Sequence, residues 1–200
     1  MTKQTFELLE NTPEKPANPA YSEVFNLALG WIFPAEGGYV DDISDPGGAT
    51  KYGISLRLLK AMALDINQDG RIDALDVRLL DIELASDIYH EEFWQRCRCD
   101  ELPEPVALVL FDAAVNTGVR PAIKQLQRAC RVKADGLFGP KTLAAARRMD
   151  TNALMLNILV IRSLYYHRIT RKNPVFKRFI KGWTSRLFKL QQYILEHTDV

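Results

Sequence analysis

Cysteine is scarce in this chain: Cys97, Cys99 and Cys130 are an odd set that cannot close a disulfide framework, and the Cys-Arg-Cys pair has neither metal-site nor redox-motif spacing. Reduced, partly buried thiols are the expected state. No apolar run approaches a membrane span, and the polar, proline-bearing stretch from Met1 to Pro19 has no apolar core of a secretory signal. The expectation is synthesis in the cytoplasm without a signal peptide. Net charge is only +1, so no chain-wide polyelectrolyte partner such as nucleic acid is implied. Negative charge is missing locally, however. Thr151 to Leu195 holds no Asp or Glu, while Arg162, Arg168, Arg171, Lys172, Lys177, Arg178, Lys181, Arg186 and Lys189 are all basic. A hydrophobic fraction of 47% across 200 residues excludes disorder and leaves room for one substantial folded unit or two small ones.

What the chain does have is concentrated between Glu36 and Ser55, where carboxylates, glycines and a hydroxyl share one turn-rich segment. The lead-in from Tyr21 to Phe33 carries Val24, Phe25, Leu27, Ala28, Trp31 and Ile32 at helical spacing, which places Glu36 at or just past a buried helix C-terminus. The negative end of the helix dipole and apolar neighbours both disfavour an anion there, and so favour the protonated carboxyl that a general acid needs. Gly37, Gly38, Gly47 and Gly48 permit tight turns and close approach of a polymer, while Pro46 biases Asp45 toward extended geometry. Hydrolysis of a glycosidic bond requires a proton donor on one side of the sugar and a second carboxylate on the other. Glu36 and Asp45 are the candidates. The plainer reading is a surface helix terminus followed by a generic Asp-Pro-Gly-Gly turn.

The run EGGYVDDISDPGGATKYGIS resembles the signature of glycoside hydrolase family 108, phage-type lysozymes and bacterial relatives that cleave peptidoglycan. The wider group of phage lysozymes has a Glu, an Asp after eight intervening residues, then a Thr before Gly-Ile; here these are Glu36, Asp45, Thr50 and Gly53-Ile54. The Asp-to-Thr spacing is one residue shorter than in the best-known members. The resemblance implies that Glu36 donates the proton and that Asp45, helped by Thr50, positions water. Tyr39 and Tyr52 are the candidate substrate contacts within the segment. Downstream, the stretch from Phe111 to Gly118 resembles the central buried helix of lysozyme-like glycosidases, which would let Asp112 and Asn116 brace the cleft or meet substrate from below. The alternative is a core helix with an Asn-Thr-Gly cap.

A second pattern runs from Asp65 to Asp76. Asp65, Asn67, Asp69, Asp73 and Asp76 fall at positions one, three, five, nine and twelve of an EF-hand loop, with Gly70 at six and the Arg71 carbonyl at seven. The expectation is a structural or regulatory Ca²⁺ held by Asp65, Asn67, Asp69, Arg71, Asp73 and Asp76, weakened by Asp rather than Glu at the last position. The alternative is an acidic solvated loop.

The chain organises as a tail over residues 1–20, a lobe over 21–105 that includes the calcium loop at 65–76, and a helical lobe over 106–196. Helices are expected over Ser55 to Ala63, Ala74 to Arg96, Val106 to Thr117, Ala122 to Cys130, Asn152 to Arg168 and Phe176 to Ile194. On the last two, Leu159, Leu164, Phe179, Trp183, Leu187 and Leu190 form apolar sides expected to close the core. The Asp135-Gly-Leu-Phe-Gly139-Pro-Lys-Thr142 turn is similar to that of peptidoglycan-binding helical modules, with Thr142 expected to cap the next helix. The expected fold is mainly α, a lysozyme-like two-lobed helical fold with a small hairpin at the active site. The resemblance implies a muramidase, an endolysin made in the host bacterial cytoplasm and acting on the wall after release. A monomer is expected. The charge of the basic C-terminal helices offers contact with anionic envelope polymers, the alternative being the solvated faces of two amphipathic helices. A lytic transglycosylase and a non-catalytic, calcium-stabilised wall adaptor remain the alternatives.

Overall fold

The computed structural model describes residues 20–36, 38–40 and 48–199, with residues 35 and 36 described by their backbone alone. The chain divides into two compact units, residues 1–80 and 81–200. Among the described residues its elements are helical apart from one two-stranded hairpin, so the expected mainly α fold is the one found.

In the first unit, α1 (Glu23–Glu36) forms because Phe25, Ala28, Leu29 and Ile32 recur on one face, and all four are fully buried. The Ser22 hydroxyl accepts from the Phe25 amide and caps the helix start. Strands β1 (Thr50–Lys51) and β2 (Ile54–Ser55) pair antiparallel in the register Thr50 to Ser55 and Lys51 to Ile54. Tyr52 and Gly53 form the two-residue turn, with φ of 52° and 76°, the left-handed backbone that tight hairpins require. Ser55 caps α2 (Leu56–Met62) by accepting from Leu58, and the acidic loop then leads to α3 (Ala74–Leu79).

A single helix from Ala74 to Arg96 is not what forms. Leu80 turns extended after α3, and Asp81 starts α4 (Ile82–Tyr89) by accepting from the Leu84 amide. The side chain of Asp81 therefore replaces a turn of helix with a new cap. A π-helical turn over His90–Gln95 and a 3₁₀ turn over Cys99–Glu101 follow.

The second unit is organised around α5 (Glu104–Thr117), where every residue from Pro105 to Ala114 is buried. A helix apolar all round belongs in the middle of a bundle. Pro105 lies in its first turn, where a missing N–H costs nothing, and Gly118 ends it at φ 90°. Helices α6 (Val119–Ala129), α8 (Thr151–Lys172) and α9 (Ile180–His197) pack on α5. Tyr89 and Trp94 meet the Phe111 ring edge-on at 6.0 and 5.5 Å. Helix α7 (Pro140–Arg147) begins at Pro140 with Gly139 as its cap residue, so Thr142 is not the cap that the turn pattern suggested. The last helix also differs from expectation: Asn173 accepts from the Val175 amide and residues Pro174–Phe179 wind as 3₁₀ before α9 begins. Cys97 and Cys99 are buried and Cys130 is half-buried, all three free; burial raises the Cys130 thiol to about 11. Among the described residues no helix is long and apolar enough to cross a membrane.

Candidate active site

Glu36 is the last residue of α1, with Pro34 in the same final turn. Four residues on, the chain returns. Val40 pairs with Thr50 through two backbone hydrogen bonds, Val40 N–H to the Thr50 carbonyl at 2.8 Å and the reverse at 2.7 Å. The bridge thus ties Val40, four residues past Glu36, to β1. The Thr50 hydroxyl donates to the Gly48 carbonyl at 3.3 Å. Asp45, the candidate second carboxylate, lies outside the described residues. Tyr39 and Tyr52 stand on either side of the bridge: the Tyr52 ring meets Phe33 of α1 edge-on at 5.8 Å, and the Arg78 guanidinium sits 5.0 Å from the Tyr39 ring centre. Lys51 lies over the Tyr52 ring at 5.4 Å and donates to the Arg78 carbonyl at 2.7 Å. Arg78 and Lys51 were not read as site residues from sequence, since a single exposed cation on a short helix or strand carries no spacing signal.

The acidic loop folds onto its own amides. Asp65 accepts from the Gln68 and Gly70 N–H groups at 2.8 Å each, Asn67 from Asp69 at 3.1 Å, Asp69 from Arg71 at 2.8 Å, and Asp73 from Leu75 at 2.8 Å. Gly70 at φ 84° and Gln68 at φ 60° make the bend. Asp76 is buried, and its carboxylate accepts from Ile66 and Asp73 at 2.8 Å and from Asn67 at 3.4 Å. The Asp73 amide, first among these donors, holds the Asp76 carboxyl below the ordinary range. Among the described residues no group of three or more His, Cys, Asp or Glu side chains is arranged as a metal site. By donor chemistry the first five loop positions suit a hard cation, while Asp76 is already committed to three amides and ties the loop to α3.

Asp112 has no exposed surface. Its carboxylate accepts from Arg162 on α8 at one oxygen and from Arg186 Nε on α9 at the other, the latter at 2.9 Å. Arg162 is also fully buried and donates through Nε to the Tyr166 hydroxyl at 2.6 Å, which in turn donates to Asn116 Oδ1 at 2.6 Å. Burial, chiefly, raises the Tyr166 phenol above its usual value. Arg162 and Arg186 therefore leave the basic surface to which their place in the sequence assigned them. The available signal was an arginine inside an apolar stripe, one turn before a tyrosine.

The Asp135 turn has one organiser, Gln127 on α6. Its amide nitrogen donates to Asp135 Oδ1, the Leu137 carbonyl and Thr142 Oγ1 at 2.8, 3.0 and 3.2 Å, while its oxygen accepts from the Gly136 N–H at 2.8 Å. Gly136 has φ 81°, and a Cβ there would fall 2.6 Å from Arg120 Cγ. We expect Gly136→Ala to destabilise the chain by about 1–3 kcal/mol, the order of a non-glycine residue held in left-handed backbone. Gly139, at φ −105° with open space around it, should accept Ala with little loss. Equal denaturation midpoints for the two variants would refute this account.

Residues 29–118 match the family model described as Glycosyl hydrolase 108, and residues 121–188 match one described as Predicted Peptidoglycan domain. Among solved structures, SagA of Brucella abortus is similar, at 36% identity and a TM-score of 0.75, over 86% of this chain and 94% of that chain. The chain belongs to the glycosyl hydrolase 108 family. None of the curated proteins matches it. As a family 108 member it is a glycoside hydrolase acting on peptidoglycan, with a lysozyme-like helical fold. The hydrolase match takes in Glu36, Thr50, the acidic loop and Asp112, and the second match takes in the Gln127 turn and the tip between α8 and α9.

Proposed function

We propose that this hydrolase is a muramidase, cleaving the β-1,4 bond between N-acetylmuramic acid and N-acetylglucosamine. The observation that carries the reading is the Val40–Thr50 bridge, which ties the chain four residues past a glutamate at a helix C-terminus to the strand that bears Thr50. Glu36 gives its proton to the leaving oxygen of the scissile bond. Asp45, aided by Thr50, holds and deprotonates the attacking water from the opposite face, which inverts the anomeric centre. Tyr39 and Tyr52 supply apolar ring surface beside the loop for the sugars, with Arg78 and Lys51 fixing the rings. The Asp135 turn, within the stretch that matches the peptidoglycan domain, supports binding of the wall polymer. Mass spectrometry of fragments released from purified sacculi tests the reading: hydrated, reducing N-acetylmuramic acid ends are expected. Anhydro-muramoyl ends would mean transglycosylation, and reducing N-acetylglucosamine ends a different bond; either result overturns it.

The reading includes calcium as a stabiliser of the acidic loop and not as a catalyst. Asp65, Asn67, Asp69, the Arg71 carbonyl and Asp73 would hold it, with Asp76 contributing only the lone pairs its amide bonds leave over. Bound there, calcium would neutralise charge among the four Asp side chains at positions one, five, nine and twelve, while the protein's own residues close the loop. A ligand bound only by the native state adds stability that grows with its concentration. Melting temperature should therefore rise from chelator to millimolar calcium. Asp65→Ala with Asp69→Ala lowers it in any buffer, by freeing the Gln68, Gly70 and Arg71 amides, and should also abolish the calcium-dependent difference. Identical melting of the unaltered chain in both buffers would remove calcium from the account.

A further inference from the structure

We propose that the tip joining α8 to α9 docks on an anionic phospholipid bilayer. Every residue from 171 to 179 is exposed, yet three of them are large and apolar: Val175 at 61%, Phe176 at 36% and Phe179 at 40%. The two phenylalanines are propped from behind. Trp183 stacks on Phe179 at 5.7 Å and 28°, and on Tyr166 at 4.8 Å and 24°, and the Phe176 ring lies 6.2 Å from it. Arg171, Lys172, Lys177, Arg178 and Lys181, all exposed, lie among and beside these residues in sequence, with no carboxylate in the chain between Thr151 and Leu195.

An apolar patch interspersed with cations matches a surface whose headgroups are negative and whose interior accepts apolar side chains. Long cationic side chains lie along such a boundary with their heads in the polar layer. In a wall hydrolase the competing occupant is a sugar chain, and two observations disfavour it. Sugar recognition uses an open aromatic face, but Phe179 has Trp183 on one side and the Arg178 guanidinium 4.6 Å from its ring centre. It also uses side-chain amides and carboxylates that bond hydroxyls. None occurs from Pro174 to Trp183, and Asn173 spends its oxygen on the Val175 amide at 3.1 Å. A neutral glycan would also leave the cations unanswered.

The test is sedimentation of the full chain with phosphatidylcholine vesicles, with and without phosphatidylglycerol, at low and moderate salt. We expect binding only to the phosphatidylglycerol vesicles, weakening as salt rises. Lys177→Gln, Arg178→Gln and Lys181→Gln together should lower partitioning roughly a hundredfold, at about 1 kcal/mol for each of the three charges and tenfold per 1.4 kcal/mol. Val175→Ser with Phe176→Ser should lower it by about tenfold through lost apolar burial. Both variants should keep the melting profile and sacculus lysis of the unaltered chain. Should either variant unfold, the comparison of the two vesicle types still decides. No binding to phosphatidylglycerol vesicles by the unaltered chain overturns the proposal. So does loss of sacculus binding in the charge variant while vesicle binding persists, which would assign the tip to an anionic wall polymer.

Discussion

Glu36→Gln leaves the chain folded and lowers turnover on purified sacculi by about 10²–10⁴-fold, the range that one acid–base group contributes. The substitution keeps the shape of the side chain and removes the proton the leaving oxygen must receive. It lies at the end of α1, past the buried residues Phe25, Ala28, Leu29 and Ile32 that hold the helix, so melting should be unchanged. The second carboxylate separates mechanisms. If Asp45 holds the water, Asp45→Asn loses about 10²-fold or more. If the substrate's own hydroxyl attacks, Asp45→Asn runs near the original rate while Glu36→Gln remains inactive. A loss of only severalfold for Glu36→Gln, at unchanged melting, would place the acid at another residue.

Parts of this molecule could be read before any fold was known because local chemistry decides them. Apolar residues at helical spacing from Val24 to Ile32 leave little choice but a helix, and α1 spans Glu23–Glu36. Gly118 ends α5 as expected because its φ of 90° is open to glycine at no cost. What escaped the reading was decided by partners far along the chain. Thr142 has the composition of a helix cap but is buried as an acceptor for Gln127, 15 residues earlier. Leu164 and Phe179 sit among apolar residues expected to face the core, yet they are 62% and 40% exposed, whereas Leu159, Leu187 and Leu190 are buried. Spacing gives a stripe without saying where the neighbouring helix stops covering it. The break at Asp81 was missed because Asp within a helical pattern is tolerated in sequence, while its side chain can also cap the helix that follows. Asp45, the residue on which stereochemistry turns, lies in the segment outside the described residues, and its role rests on its place in the family pattern.

Asp112→Ala is the stability prediction with the largest expected effect, a loss of about 3–5 kcal/mol, the range for removing one partner of a buried ion pair. That would be a large part of the roughly 5–15 kcal/mol that keeps a domain folded. The reason lies in the uneven charge count of the cluster. One carboxylate from α5 answers two guanidinium groups, Arg162 with no exposed surface and Arg186 with 16% of its side chain exposed. Without Asp112 the two cations lose their shared carboxylate, and the contacts of α8 and α9 with α5 lose their polar anchor. Arg186→Ala should cost much less, since Arg162 still pairs with the carboxylate and the guanidinium removed is the partly exposed one. Tyr166→Phe removes the hydroxyl that accepts from Arg162 and donates to Asn116, a change of about 1–3 kcal/mol for buried groups left unpaired. The expected order of destabilisation is therefore Asp112→Ala, then Tyr166→Phe or Arg186→Ala, measured as urea midpoints at constant slope. Replacing Asp112, Arg162 and Arg186 together by Leu, Met and Met recovers much of the loss, because no charge is then left buried alone. A triple variant no more stable than Asp112→Ala, or an Arg186→Ala variant as damaged as Asp112→Ala, would show that packing rather than charge sets the energetics of this helix.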